Sequence, residues 1–92
     1  MPEPLCYTLL APRVNDTFQV PGAVDLQLID CRKLTPHPAV AEPFALTFRG
    51  PASPVLQQQI YSLTHPELGD SEIFLVPIGP DKQGMLYEAI FN

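Results

Sequence analysis

Twelve of the 92 residues are proline, and this constrains the fold more than any other feature of the chain. A proline inside a helix removes a hydrogen bond, crowds the preceding turn and costs about 3 kcal/mol. A mostly helical bundle is therefore excluded. With only five glycines beside them, the prolines stay short of the roughly 25–30% of Pro plus Gly that marks low-complexity disorder. The hydrophobic content of 46% supplies a core. A turn-rich, mainly β chain remains, and its length suits one domain, residues 1–92, of modest stability.

Hydrophobic periodicity locates the strands. Leu5, Leu9 and Leu10 fit one face of a short helix that Pro12 ends, and Asn15-Asp16 marks a turn. Thr17 to Val20 reads as a strand closed by Pro21-Gly22. Val24, Leu26 and Leu28 then alternate with polar residues, but at Ile29 and Cys31 the phase slips by one. A one-residue slip turns a core face outward unless a β-bulge absorbs it, so a bulge is predicted at Leu28-Ile29. Thr35 to Pro43 holds three prolines and reads as an extended, polyproline-like loop. Phe44, Leu46 and Phe48 share one face of the next strand, with Ala45, Thr47 and Arg49 on the other. Tyr61, Leu63 and His65 share a face of the strand that follows, which ends in a Pro66–Gly69 turn needing positive φ at Gly69.

The unbroken apolar run Ile73–Ile78 reads as a strand buried on both faces, with Pro77 demanding a strand end, edge or bulge. Gly79 to Gly84 is predicted to be a hairpin loop. It leads to a last strand, Met85–Phe91, paired antiparallel with Ile73–Ile78 and carrying Tyr87, Ala89 and Phe91 on its inner side. The expected fold is all-β: a small antiparallel barrel or sandwich of about six strands, with a short N-terminal helix.

The charge balance narrows function by exclusion. Five Lys and Arg against ten Asp and Glu leave a net charge of −5. A nucleic-acid binder needs a basic stripe, and an anionic membrane surface needs a basic patch, so neither is an expected partner. The start MPEPLCYTLL lacks the basic opening and long apolar stretch of a signal peptide, and Ile73–Ile78 is too short to span a bilayer. A cytoplasmic address is expected, with Cys6 and Cys31 as two small buried thiols rather than a disulfide.

No constellation for catalysis converges. His37 and His65 lack partners at ligand spacing, so no metal or other cofactor is expected. Cys31 has Arg32 beside it, but neighbours on a strand point to opposite faces. His65 is expected to bond a backbone group of the following turn. Arg49 and Glu88, each inside an apolar strand, either face solvent or pair with one another across strands. Tyr61 and Tyr87 could build a contact patch, but core or semi-core burial with the hydroxyl bonded at the rim is expected.

Three segments carry a resemblance: PFALTFRGP (Pro43–Pro51), YSLTHPELG (Tyr61–Gly69) and IFLVPIGPDKQGMLYEAIFN (Ile73–Asn92). They resemble a family of small bacterial proteins with an uncharacterised domain, whose pattern runs PFSL-FRGP, Y-L-HP-LG, FLVPIG and YEA-FN. Gln57-Gln58-Gln59 departs from the glycine that such proteins tend to carry before the tyrosine. The resemblance implies no activity, cofactor or catalytic residue. Proteins of this kind look like genomic neighbours of phage tail-collar or tail-fibre-like proteins, which implies an accessory of a phage-derived particle. The expected function is a non-enzymatic binding or assembly module that associates with itself or with a phage-tail-like structural protein. The alternative is a small-ligand binder or enzyme using a barrel-mouth pocket near Arg49, Tyr61 and His65.

Overall fold

A computed structural model describes residues 6–35 and 43–91. Six antiparallel strands close into a barrel in the order β1-β2-β3-β6-β5-β4, so the expected all-β fold holds and takes the barrel form. The strands are β1 (Thr17–Gln19), β2 (Asp25–Lys33), β3 (Phe44–Gly50), β4 (Gln59–His65), β5 (Gly69–Asp81) and β6 (Gly84–Phe91). A single helical turn, α1 (Tyr7–Leu10), runs into a 3-10 turn at Ala11–Arg13. Leu10 is fully buried, which fits one apolar face on a short helix. Leu5, the polyproline-like stretch at 36–42 and His37 lie outside the described residues.

The alternation read from the sequence fills the barrel. Phe18, Leu26, Leu28, Leu46, Phe48, Leu63, Ile73, Leu75 and Tyr87 all point inward and are buried. Phe18 meets Phe48 edge-on at 5.5 Å between ring centroids, a favoured geometry for aromatic quadrupoles. The β2–β3 register shifts between Leu28 and Asp30, where the bulge was predicted. Gly69 has φ +76°, as the turn demands. Tyr87 is buried, and its hydroxyl accepts the Leu56 N–H at 2.8 Å, so the loop after β3 is fastened beneath the barrel.

The strongest departures are on β5. It runs thirteen residues and uses its two edges in succession. Gly69–Leu75 pair with β4, and Val76–Asp81 pair with β6. The final hairpin is therefore antiparallel as expected, but β6 pairs with Val76–Asp81, not with the whole of Ile73–Ile78. Pro77 does sit at a break in register, between Pro77 and Gly79. Gly79–Gly84 is not a loop. Pro80 pairs with Met85 and Asp81 with Gly84, leaving Lys82-Gln83 as the turn. Asp81 Oδ1 accepts the Gln83 N–H at 2.9 Å, a side-chain mimic of a backbone turn that makes so short a connection possible. Gly84, at φ +155°, lies against the Gly50 carbonyl, and a Cβ there would collide with it.

The run Ile73–Ile78 is also not buried on both faces. Ile73 and Leu75 point inward, while Phe74 and Ile78 are about half exposed, at 47% and 48%. An unbroken apolar run suggests two covered faces, yet no described element packs over the outside of β5.

Candidate interaction surface

The outward positions of β4 are Ile60, Ser62 and Thr64; those of β5 are Asp70, Glu72, Phe74 and Val76. The register sets them directly opposite one another: Ile60 to Phe74, Ser62 to Glu72 and Thr64 to Asp70. Ile60 is 61% exposed, the most exposed large apolar side chain among the described residues, and its direct partner Phe74 is exposed as well. Val76 lies two residues further along the same face, opposite Glu88 of β6, and Ile90 stands two residues beyond Glu88 on the β6 outer face, 49% exposed. These side chains make an apolar stripe across three strands. It grades into Glu72 and Asp70 at the other end of β5, where Thr64 Oγ1 donates to Asp70 Oδ1 at 2.9 Å. Isolated exposed apolar residues are ordinary, and this stripe is a row of them on neighbouring strands.

The main chain at this place is equally uneven. β4 pairs with β5 at seven positions but with β1 at one, Gln19 to Thr64. β1 has three residues and turns away at Pro21-Gly22, so Gln59 to Leu63 run past its end. Side chains close the seam instead. His65 is 4% exposed; its Nδ1 accepts the N–H groups of Glu67 and Leu68 at 3.0 and 3.2 Å. The other nitrogen, Nε2, therefore carries the proton and donates to Asp16 Oδ2 at 2.9 Å. Arg13 reaches Glu67 at 2.8 Å and Asp16 at 3.8 Å. The segment before β1 is thus tied to the turn after β4. Outside the tie, a concavity of about 250 Å³ opens on the seam between Thr17, Gln19, Thr64 and Pro66.

The three residues read as a barrel-mouth site engage separate partners. His65 is held as described. The Tyr61 hydroxyl donates to the Gln57 carbonyl at 2.7 Å. Arg49 sits beside a different concavity, of about 360 Å³, together with Asp25, Gln27 and Gln83. Arg49 Nε and Nη2 both donate to Asp81 Oδ2, at 3.1 and 2.6 Å, crossing Gly84 on the way. The hydrogen bonds from Arg49 and from the Gln83 amide hold the Asp81 carboxyl below its ordinary pKa.

Arg49 and Glu88 do not pair with each other. Glu88 instead accepts from Arg32 Nη2 at 2.8 Å, and Arg32 also reaches Thr47 and Asp30. The Glu88 hydrogen bond raises the guanidinium pKa further. Arg32 thus spans three strands outside the barrel and is turned away from Cys31. Cys6 and Cys31 are free and half-buried, less enclosed than expected. Burial, then the charge of Asp30, pushes the Cys31 thiol pKa up, which disfavours the nucleophilic thiolate.

Among the described residues no group of three His, Cys, Asp or Glu side chains converges as a metal site, and no helix is long and apolar enough to cross a membrane. No curated protein and no solved structure matches the chain significantly. One sequence family does match, over residues 5–91: with nearly its whole length covered, the chain belongs to the DUF6916 family, a domain of unknown function.

Proposed function

We propose that this protein is a non-enzymatic binding and assembly module, an accessory of a phage-tail-like structural protein, working in the cytoplasm. The observation that carries the reading is the pair Ile60–Phe74, two large apolar side chains directly opposite one another and both open to solvent. Burying such a pair against a partner recovers about 25 cal/mol for each Å² of apolar surface removed from water. The inside of the barrel supports the same reading, because it is packed with side chains where a ligand would sit. Arg49, Tyr61 and His65, the residues of the ligand-binding alternative, are each bonded to separate neighbours. The link to a tail-like structure comes from the resemblance in the C-terminal half of the sequence. Two unbridged cysteines suit a reducing compartment.

The test is affinity capture from the native host with the full chain and with Phe74→Lys, followed by mass spectrometry. The expected result is recovery of tail-fibre-like proteins by the native chain and their loss with the variant. Equal recovery by both, or recovery by neither, contradicts the proposal.

A further inference from the structure

Unpaired strand edges invite other strands, and proteins usually blunt them with lysine, proline, a bulge or a covering element. Among the described residues, the edge of β4 from Gln59 to Leu63 has none of these. It contains no charged residue, proline or glycine, its register with β5 is unbroken, and among the described residues its backbone bonds only β5. It also borders the apolar stripe through Ile60.

We infer that this edge receives an added strand from a partner protein, an extended segment antiparallel to β4 that carries Lys or Arg two positions before a large apolar residue. The inference rests on the binding-module reading and specifies its partner. Direction follows from β1. Because Gln19 lies opposite Thr64, a strand continuing in the sense of β1 meets Leu63 first and Gln59 last. Antiparallel addition also gives the better-aligned ladder.

Side-chain chemistry follows from the rows across β4 and β5. The position opposite Ile60 borders Ile60 and Phe74 and calls for an apolar residue. The position opposite Ser62 borders a small side chain with the exposed carboxylate of Glu72 behind it, one strand further on. Two strand spacings are about 9.6 Å, a span that a long cation over a serine and a glutamate reaching back cover together.

A second copy of this chain matches that edge poorly. Arg13, Arg32 and Arg49 are engaged in ion pairs, Lys33 lies 5.0 Å over the Tyr7 ring, and Lys82, in the β5–β6 turn, stands two positions before Gly84 rather than a large apolar residue. With a net charge of −5, two copies repel where the edge asks for a cation. Recognition by edge addition draws affinity from the main chain and specificity from alternate side chains.

The test uses the full chain and a fluorescent, end-capped synthetic peptide of about seven residues, Thr-Arg-Val-Ile-Thr-Val-Thr, a length typical of a strand, whose first residue falls opposite Leu63 and so clears β1. A second peptide has Glu in place of Arg, and a third is N-methylated at alternate amides. Anisotropy measures affinity, and amide chemical shifts locate the contact. The Arg peptide is expected to bind and to shift the amides of Gln59 to Leu63. The Glu peptide is expected to bind about tenfold more weakly, and N-methylation on the edge-facing amides to abolish binding. Glu72→Lys should reverse the charge preference and Ile60→Lys should remove binding, both with an unchanged melting temperature because both positions are exposed.

No binding by the Arg peptide, indifference to its charge, or shifts elsewhere on the barrel would each overturn the inference. So would a dimer in analytical ultracentrifugation that Ile60→Lys dissolves, since a second copy would then hold the edge. A host partner captured equally well by native chain and Ile60→Lys removes this edge while leaving the binding-module reading intact.

Discussion

The two sides of the barrel are held by different means. On one side β3 and β6 pair over seven consecutive positions, from Phe44–Phe91 to Gly50–Met85. The Phe44 and Phe91 rings stack at 4.6 Å, and on the outside Arg32–Glu88 reaches across β3 from β2 to β6 and Arg49–Asp81 across β6 from β3 to β5. On the opposite side β1 and β4 share one register pair, and closure falls to His65, Asp16, Arg13 and Glu67. A barrel removes strand edges only where its ladders are complete. Here the β3–β6 ladder is complete, whereas at the seam the main chain of β4 from Gln59 to Leu63 is left without a β1 partner.

The largest expected effect tests the complete side. Phe48 is fully buried, and Phe48→Ala should cost about 3–5 kcal/mol, a large share of a small domain's stability. Urea denaturation should show one cooperative transition moved to much lower denaturant. Early loss of β1 alone, with the remainder intact, would show that Phe48 does not anchor the whole barrel.

His65→Ala comes next and tests the seam. It removes acceptors from two turn amides and a donor from Asp16, and should cost about 2–3 kcal/mol. The loss should show first as faster exchange of the β1 amides. Unchanged stability would mean that the single Gln19–Thr64 pair is enough for closure.

Phe91→Ala should cost about 2 kcal/mol, below a full core deletion because the ring is only half-buried against Phe44. A cost near zero in thermal melting would make the C-terminal end of β6 a passenger on the better-paired side.

The smallest effect concerns acid. The Asp81 carboxyl is held below its ordinary pKa, chiefly by Arg49. Its contribution is present above the unfolded-state value of about 3.9 and is lost as pH falls through the lower folded-state value. Arg49→Gln should therefore lower the melting temperature slightly at neutral pH and narrow its gap to the native chain as pH falls below about 4. A gap that widens in acid would contradict the assigned pair.

Much of this was legible in the sequence where one local rule governed. The apolar alternation of Leu26 and Leu28 and its slip at Ile29 fixed a bulge, and Pro66–Gly69 required the positive φ found at Gly69. Where tertiary register decided, local rules failed. Gly79 and Pro80 are turn residues by type, yet the pairings with Leu86 and Met85 draw them into β5. Arg49 and Glu88 are diagonal neighbours in the β3–β6 register, with Thr47 opposite Glu88 and Leu86 opposite Arg49. Each found a nearer partner on a third strand, Asp81 on β5 and Arg32 on β2, and no spacing along the chain encodes that choice. The exposed pair Ile60–Phe74 was hidden for the same reason: the run Ile73–Ile78 gives no sign that its outer face lacks a cover.

Native-state hydrogen exchange followed residue by residue tests the contrast between the two sides most directly. Amides in a complete ladder exchange only through large openings, and those at an incomplete one through local opening. The β3 and β6 amides that pair with one another, from Ala45–Ile90 to Arg49–Leu86, should be the slowest, with protection approaching the global unfolding free energy. Those of β1, and every second amide of β4 between Gln59 and Leu63, should exchange far faster by local opening. Equal protection on both sides would contradict the account, because the seam would then be as complete as the β3–β6 ladder and β4 would offer no free edge.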